Sequence, residues 1–360
     1  MVGRHAEPVE QLGAQLGQVA RGAVPRPVAR YVDDPRDARR PAVRHRAQQH
    51  HAVGEGAGEW STDTLNIDFA TYNPLSLVVR EQGWLEEELD GVEVTWVQSD
   101  GSNTANENLR AEAIDFGSTA GSAALLARAN GSPIRTVDIY SQPEWSAIVV
   151  AGDSKIKDVA DLEGASIAAT KGTDPYFFLL QTLDEAGIPL SEVEVQNLQH
   201  ADGRAALDNG SVDAWSGLDP IMAAAEAEAG DKLIYRNIDF NTYGFLNARE
   251  EFVDEHPDVT QAVVDAYEQA RAWALENPEE LSALLAEVAS IDPEVASTVI
   301  EERTVLDLDP VPGDKQRDVL EVVGPIFVES GDVAAQENVD SALDQLFAPE
   351  FAQEAVASDG

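Results

Sequence analysis

Apolar and polar positions from residue 64 onward alternate between the spacing of strands and the spacing of helices. "TLNIDFATYNPLSLVVREQGW" (64–84) begins with a strand-like stretch, turns at a proline, and continues with helical spacing that ends at glycine. "ASIAATKGTDPYFFLLQTLDEAGI" (165–188) repeats this order. The pattern therefore predicts two strand–helix units with the same internal layout.

The similarity between the two stretches continues downstream. "VEV" at 92–94 is matched by "VEV" at 193–195, and "AIDFGSTAGSAALLARANG" (113–131) is matched by "SVDAWSGLDPIMAAAEAEAG" (211–230). "SNTANENLRAEA" and "HADGRAALDNGS" predict a short helix before each of the two longer phrases. A spacing of 98–101 residues throughout predicts two β-α-β-α-β units with parallel strands. Asp115 and Asp213 are expected to be structural, each ending a strand.

Two stretches of sequence are expected to cross between the units, at 136–154 and at 232–250, and nearly all of the chain after 250 has helical spacing. The predicted fold class is α/β with two lobes, each a mostly parallel sheet flanked by helices. Two crossing strands form the hinge, and a helical C-terminal tail packs on lobe 1. Lobe 1 is predicted to be discontinuous (61–145 plus 245–360), and lobe 2 to span 146–244.

Residues 1–60 differ in composition from the rest of the chain. They contain nine Arg and no Lys, lack strand or helix periodicity beyond the first twenty residues, and contain no apolar run of secretory type. We expect a disordered segment or a wrongly extended N-terminus there. These residues carry a net charge of +2, whereas the remaining residues carry –44.

The acidic charge limits the possible partners. A net charge of –42 repels nucleic acid and anionic lipid. It predicts a solvated acidic surface, as in proteins adapted to high salt, and the alternative is a cation-attracting function. The chain has no Cys, and only His200 and His256 lie outside the first 60 residues. We therefore expect no metal site, no cofactor, no catalytic residues and no enzymatic activity.

The strand-to-helix junctions are the predicted binding elements. Asn73-Pro74, Asp174-Pro175 and Asp219-Pro220 each place a polar cap before a proline at the first helical position, and 117–121 is a small-residue turn before another helix. Helix N-termini offer free N–H groups and partial positive charge. Ordinary helix capping explains any one junction taken alone, but four such ends facing one cleft would form an anion site.

Several side chains at these junctions have two possible roles. The hydroxyls of Ser118 and Thr119 fit either oxyanion contact or capping, and Lys171 fits either a surface position or a ligand contact. Trp215 fits either a wall for an apolar ligand or core packing. The aromatic residues expected in cleft or hinge segments, where they cover a ligand or pack, are Tyr72, Trp145 and Tyr243.

Three acidic residues near the junctions, and two basic residues at a predicted helix start, are expected to be structural. Asp174, Asp219 and Glu144 are interpreted as helix caps or hinge contacts, with the alternative that one of them holds the amine of a zwitterionic ligand. His200 and Arg204, at a predicted helix start, are interpreted as structural.

The chain resembles the substrate-binding proteins of bacterial ABC importers, in the aliphatic sulfonate, taurine and nitrate group. The phrases that carry this resemblance include "LRAEAIDFGSTAGSAALLARANGSPI", "YSQPEWSAIVV", "KGTDPYFFLLQTLDEAGI" and "ALDNGSVDAWSGLDP". The resemblance covers about residues 64–275 and implies a type II periplasmic-binding-protein fold. It also implies capture of an alkanesulfonate-like anion in an interlobe cleft and delivery to a permease driven by an ATPase. An extracytoplasmic monomer with a role in sulfur metabolism follows from the same resemblance.

Four turns are implied as ligand contacts, with hydroxyl and N–H groups around the sulfonate oxygens. Their residues are Tyr72, Asn73, Ser118, Thr119, Ala120, Lys171, Gly172, Thr173, Asp174 and Trp215 to Asp219. The first turn, 70–73, lacks the lysine that relatives often carry, and no lipid-anchoring Cys is present. Taurine, nitrate, bicarbonate and a thiamine-pyrimidine precursor remain alternative ligands, and an enzyme on the same fold is a further alternative.

Overall fold

The computed structural model describes residues 60–358, which form two β-sheets flanked by helices. The expected disorder of residues 1–60 lies outside the described residues, apart from Trp60. No helix within residues 60–358 has the length and apolar character needed to cross a membrane.

The strands alternate with helices over the first two thirds of the described chain. They are β1 (Thr64–Phe69), β2 (Glu93–Gln98), β3 (Phe116–Ala120), β4 (Ile134–Pro143), β5 (Ala147–Val150), β6 (Ser166–Ala169), β7 (Glu194–Asn197), β8 (Ala214–Ser216), β9 (Lys232–Arg236), β10 (Gly244–Arg249) and β11 (Thr304–Val305).

Helices connect these strands and form most of the chain after residue 250. They are α1 (Pro74–Gln82), α2 (Trp84–Glu88), α3 (Ser102–Arg110), α4 (Gly121–Ala129), α5 (Asp174–Glu185), α6 (His200–Asp208), α7 (Ile221–Ala229), α8 (Glu250–Glu255), α9 (Pro257–Glu276), α10 (Pro278–Ala289), α11 (Pro293–Ser297), α12 (Asp314–Glu329), α13 (Gln336–Gln345) and α14 (Glu350–Ser358). Short 3-10 turns lie at Val159–Leu162, Leu190–Glu192 and Ile238–Phe240, and a π-helical turn lies at Thr298–Glu302.

The two sheets confirm the predicted repeat. The first sheet has the order β11-β4-β10-β3-β1-β2, and the second has the order β7-β6-β8-β5-β9. In the first sheet β1 is parallel to β2 and β3, and in the second β6 is parallel to β7 and β8. Antiparallel strands extend each sheet: β10 lies between β3 and β4, and β5 lies between β8 and β9.

Asp115 and Asp213 occupy matching positions in the two sheets. The backbone N–H of Asn66 donates to Asp115 Oδ2 at 2.8 Å, and that of Ser166 donates to Asp213 Oδ2 at 2.8 Å. Both aspartates also donate their own N–H to the carbonyl of the same partner. The prediction that they end strands was wrong, because each lies directly before a strand, β3 or β8. Their role is structural, since they tie the starts of neighbouring parallel strands together.

Two crossing segments connect the sheets, as predicted. The chain leaves the first sheet between β4 and β5 and returns between β9 and β10. The described residues, 60–358, belong to one compact unit, so the lobe boundaries at 146 and 244 stay a prediction.

The helical tail packs mainly on the helices of the first sheet, and also reaches the second. Helix α9 packs against α1 and α14, and α13 packs against α4. Helix α12 contacts both α4 and α5, where the rings of Phe327 and Phe177 lie 4.5 Å apart. The tail therefore contacts both halves of the repeat, which extends the prediction that it packs on lobe 1.

Candidate functional site

A small cavity lies where the starts of three helices meet between the two sheets. Helix α3 comes from the first sheet, and α5 and α6 come from the second. The cavity has a volume of about 10 Å³, about the space for one water molecule. Its lining residues are Tyr72, Ser102, Trp145, Thr173, Asp174, Pro175, His200 and Leu218. Because the first turn of a helix presents N–H groups and partial positive charge, this cavity is suited to an anion.

A second cavity of about 10 Å³ shares Tyr72 and Trp145 with the first. The rings of these two residues meet edge to face, with centroids 6.0 Å apart. Arg303 and Asp219 also line this second cavity. The aromatic pair therefore provides an apolar wall to both spaces.

The carboxylate of Asp174 is fully engaged within the protein. It accepts hydrogen bonds from Ser122 Oγ (2.5 Å), Trp145 Nε1 (2.8 Å), Thr242 N (2.8 Å) and Thr242 Oγ1 (2.6 Å). Burial raises its pKa, and these hydrogen bonds oppose that rise. Thr173 rather than Asp174 is the N-cap of α5, so the capping alternative was wrong, whereas the bonds from Trp145 and Thr242 fit the predicted hinge contact. Asp174 instead joins α5 to α4 and to both crossing segments.

Asp219 and Glu144 are also paired. Asp219 accepts from Arg303 Nη1 at 3.1 and 3.2 Å and from Ala223 N at 2.9 Å. Burial raises the pKa of Asp219 to about 6, although Arg303 opposes the change. Helix α7 begins at Ile221, after the cis peptide bond that joins Asp219 to Pro220, so this proline is the N-cap rather than the first helical residue. Glu144 accepts from Arg236 Nε at 2.9 Å and from Arg236 Nη2 at 2.6 Å.

The hydroxyl of Ser118 belongs to a buried network in the first sheet. It donates to Asp68 Oδ1 at 2.8 Å and accepts from Asn73 Nδ2 at 2.8 Å. Burial raises the pKa of Asp68 to about 6, and hydrogen bonds from Ser118 oppose the rise. Tyr72 Oη donates to the carbonyl of Ser118 at 2.9 Å. Asn73 also caps α1, accepting from Ser76 N at 3.2 Å, as predicted.

Thr119 and Ala120 also form hydrogen bonds within the protein. Thr119 Oγ1 donates to the carbonyl of Ala120 at 2.9 Å and accepts from Asn247 Nδ2 at 2.7 Å. The N–H of Ala120 donates to Ser102 Oγ at 2.9 Å. Direct contact of Ser118, Thr119 or Ala120 with an oxyanion stays a prediction, and it would require some of these bonds to be exchanged.

The three residues of the 171–173 turn differ in how close they lie to the cavity. Lys171 is exposed, with Nζ 5.4 Å from the centre of the Tyr176 ring, and its N–H donates to Asn197 Oδ1. Gly172 has a φ of +78°, which glycine adopts without strain. Thr173 lines the first cavity, and its hydroxyl donates to the carbonyl of Thr170 at 2.6 Å.

Two predicted aromatic contacts lie elsewhere. Trp215 is fully buried with Ala168, Leu207 and Met222 in the core of the second sheet, which fits its packing alternative. Tyr243 is half-buried in the returning crossing segment, and its carbonyl accepts from Gly121 N at 3.2 Å. Their ligand contacts stay predictions.

Three residues that line the two cavities were not predicted as binding residues: Ser102, His200, which was interpreted as structural, and Arg303. Ser102 begins α3 and His200 begins α6, and their numbers differ by 98, the same separation as between Asp115 and Asp213. The repeat itself was therefore a signal that these two positions are equivalent. Arg303 had no such signal, because it lies in the tail outside the repeat.

Two sheets joined by two crossing strands, with helix starts from both sheets around one cavity, define a type II periplasmic-type binding protein. The chain belongs to the NMT1/THI5-like family, whose model matches residues 73–281.

Sequence relatives include two proteins named for aliphatic sulfonate binding. The one from Escherichia coli (strain K12) is 29% identical over 257 residues, which is 71% of this chain and 81% of the relative. The one from Bacillus subtilis (strain 168) is 30% identical over 230 residues, which is 62% of this chain and 69% of the relative.

Solved structures confirm the fold. The periplasmic aliphatic sulphonate binding protein SsuA from Escherichia coli is 26% identical with a TM-score of 0.68, covering 80% of this chain and 93% of that one. The alkanesulfonate-binding protein SsuA from Xanthomonas axonopodis pv. citri bound to MOPS has a TM-score of 0.71 at 23% identity, covering 78% and 98%. The periplasmic nitrate-binding protein NrtA from Synechocystis PCC 6803 has a TM-score of 0.72 at 14% identity, covering 84% and 90%. The predicted resemblance and the two-lobed fold class are thus confirmed.

Proposed function

We propose that this protein is an extracytoplasmic solute-binding protein that captures a small organic anion, an aliphatic sulfonate, and delivers it to an ABC permease and its ATPase. The observation that carries the proposal is the cavity lined by the starts of α3, α5 and α6, which come from both sheets. A ligand held there touches both halves of the repeat and therefore favours their closure.

The chemistry of the cavity suits a sulfonate. Helix N–H groups and the Ser102 hydroxyl supply hydrogen-bond donors without a buried cationic side chain at the cavity. Ser102 Oγ accepts from Ala120 N, and its own proton is available to an oxyanion. The wall formed by Tyr72 and Trp145 fits an alkyl chain, which favours an organic sulfonate over nitrate or bicarbonate.

Binding would require the two sheets to separate. The cavity of about 10 Å³ holds about one water molecule, so a sulfonate enters only when the space enlarges. We propose that lobe 1 (61–145 plus 245–360) and lobe 2 (146–244) move as units about the crossing segments. The relatives named for aliphatic sulfonate binding support this function, and binding without chemical turnover accounts for the site.

Thermal unfolding in a panel of anions tests the proposal. A ligand that binds only the folded state raises the melting temperature by mass action. We expect alkanesulfonates to raise the melting temperature and to give saturable heats in calorimetric titration, when ionic strength is matched with NaCl.

Ser102→Ala should weaken sulfonate binding about tenfold, since one hydrogen bond is lost. Ser132→Ala is the matched control. Ser132 is as buried as Ser102, with 6% of its surface exposed, but it follows the C-terminal end of α4 and does not line the cavity.

Three other results would count against parts of the proposal. A shift with nitrate or bicarbonate but with no sulfonate would overturn the sulfonate assignment and keep the binding-protein class. Binding of a thiamine-type pyrimidine alone would select that alternative. Turnover of a bound ligand, seen by mass spectrometry, would establish an enzyme instead.

A further inference from the structure

We infer that His200 makes the cavity selective for organosulfonates that carry an O–H or N–H group, by accepting a hydrogen bond from that group at Nε2. This inference rests on the proposed function and narrows its substrate class to hydroxy- and aminoalkanesulfonates. It assigns His200 as a specificity-determining residue.

The position of His200 is the first observation. It is the first residue of α6, it lines the cavity, and only 2% of its surface is exposed. Its Nδ1 lies 3.2 Å from Thr170 Oγ1, whereas its Nε2 has no hydrogen-bond partner within the described part of the chain. Buried polar atoms are nearly always paired with protein or water, so an unpaired one at a cavity accepts from water when the site is empty and from a donor on the ligand when it is filled.

The hydrogen bonds around Thr170 determine which ring nitrogen carries the proton. Thr170 Oγ1 has one hydrogen and donates it to the carbonyl of Leu198 at 2.7 Å. The same oxygen must therefore accept from His200, so Nδ1 carries the proton of the neutral ring. Nε2 is then a lone-pair acceptor, and it cannot donate to the sulfonate.

The imidazole is held in its neutral form. Burial lowers the pKa of His200 to about 3, because the charged ring would lose its hydration. At neutral pH the ring therefore keeps one proton, on Nδ1, and Nε2 remains an acceptor.

Gly101 allows the imidazole to lie against the start of α3. Its φ of 173° is ordinary extended backbone, so the glycine is not required by conformation. A Cβ at this position would lie 2.9 Å from His200 Nε2, which is too close for a side chain. Nε2 thus faces the segment that carries Ser102. A sulfonate oxygen on Ser102 would place a neighbouring O–H or N–H group of the same ligand near Nε2.

The acids of the site are less suited to this role. Asp174 already accepts four hydrogen bonds, and Asp219 is paired with Arg303 and with the N–H of Ala223. Either carboxylate would have to give up an internal partner to accept from a ligand. Among the residues that line the cavity, the buried acceptor without a partner in the described part of the chain is His200 Nε2.

Calorimetric titration with a matched ligand pair tests the inference. 2-Hydroxyethanesulfonate and propane-1-sulfonate have the same shape, and only the first carries a donor. We expect the wild-type protein to bind the hydroxyl compound about tenfold more tightly or better, and 2-aminoethanesulfonate likewise. Sulfonate binding with equal affinity for the hydroxyl and alkyl compounds would overturn this inference and leave the proposed function intact. Absence of binding to all three would overturn the proposed function itself.

Variants of His200 assign the preference to Nε2. His200→Leu should remove it, whereas His200→Gln, which retains an acceptor oxygen, should preserve at least part of it. His256→Leu is the control, because His256 lies near Ser61 and Asp258 and not at the cavity. A preference that persists in His200→Leu would overturn the assignment.

Nuclear magnetic resonance of the unsubstituted protein gives a readout that does not depend on folding of the variants. The ¹⁵N resonance of His200 Nε2 should be that of an unprotonated ring nitrogen, and it should shift on addition of 2-hydroxyethanesulfonate but much less with propane-1-sulfonate. A protonated Nε2, or equal shifts with both compounds, would contradict the inference.

Discussion

At the residue scale, Asp68 is a carboxyl whose ionisation opposes folding. It is completely buried, and three hydrogen bonds from the N–H and hydroxyl of Ser118 do not offset the loss of hydration. Because its pKa is raised to about 6 in the folded protein, the proton is held more tightly there than in the unfolded chain. The stabilisation that comes from this tighter proton binding is complete below about pH 4, and it is lost as the pH rises through about 6.

Replacing Asp68 with Asn should therefore change how stability depends on pH. A difference of about two pKa units corresponds to roughly 3 kcal/mol. We expect the free energy of unfolding of Asp68→Asn, relative to wild type, to increase by up to that amount between about pH 4 and about pH 7. Urea unfolding at a fixed high salt concentration measures it. Asp63→Asn removes the same charge at an exposed position and serves as the control. Parallel pH curves for Asp68→Asn and wild type would contradict the argument.

The residue scale is also where the sequence was least informative. The hydroxyl of Ser118 and the ring of Trp215 had both a ligand-contact and a structural alternative, and only packing shows Ser118 bound to Asp68 and Trp215 in a core. His200 looked structural because its sequence neighbours do not reveal the unpaired Nε2. A sequence predicts which residues begin a helix, whereas the direction of a hydrogen bond depends on partners far away in the chain.

At the scale of elements, the strands and the repeat were predictable because they depend on local periodicity. The two parallel β-α-β-α-β units follow the apolar pattern closely. The helix starts at Asp174 and Asp219 differ from expectation by one residue each, since Thr173 and Pro220 are the N-caps. Contact of the tail with the second sheet could not be predicted, because it depends on Arg303 and on ring contacts far apart in sequence.

Arg303 joins the tail to α7, and its loss should be costly. It is 7% exposed and pairs with Asp219, which is 3% exposed, and with Glu226. Arg303→Leu leaves the buried carboxylate of Asp219 without its cation, so we expect a loss of roughly 3–5 kcal/mol in the free energy of unfolding near neutral pH. The loss should be smaller below about pH 5, where Asp219, with its pKa of about 6, takes up a proton.

A double-mutant cycle separates this pair from general packing effects. Arg303→Leu combined with Asp219→Asn should recover much of the stability lost in the single variant, because no buried charge remains unpaired. Arg317→Leu is the control: its partners Glu321 and Asp344 are exposed, so its loss should cost less than about 1 kcal/mol. Additive effects of the Arg303 and Asp219 changes would show that the ion pair does not couple them.

At the scale of the whole molecule, acidic charge is distributed over both sheets and the tail. Residues 61–360 contain 59 acidic and 15 basic residues. Eight of the ten arginines in this range form ion pairs. Most carboxylates therefore repel one another across solvent, and closing the two sheets brings more of this charge together.

Salt should stabilise the folded protein by screening this repulsion. The screening length falls from about 10 Å at about 0.1 M salt to about 3 Å at about 1 M. We expect the midpoint of urea unfolding to rise steadily with NaCl over this range.

A charge-reduced variant should be more stable than wild type in low salt and should gain less from added NaCl. Suitable exposed positions, each changed to the amide, are Glu87, Glu88, Asp90 and Glu93. Sucrose at matched osmolality controls for effects of excluded solutes, since it leaves the charges unscreened. An unfolding midpoint that stays constant from low to molar NaCl would show that the repulsion among these carboxylates does not limit stability.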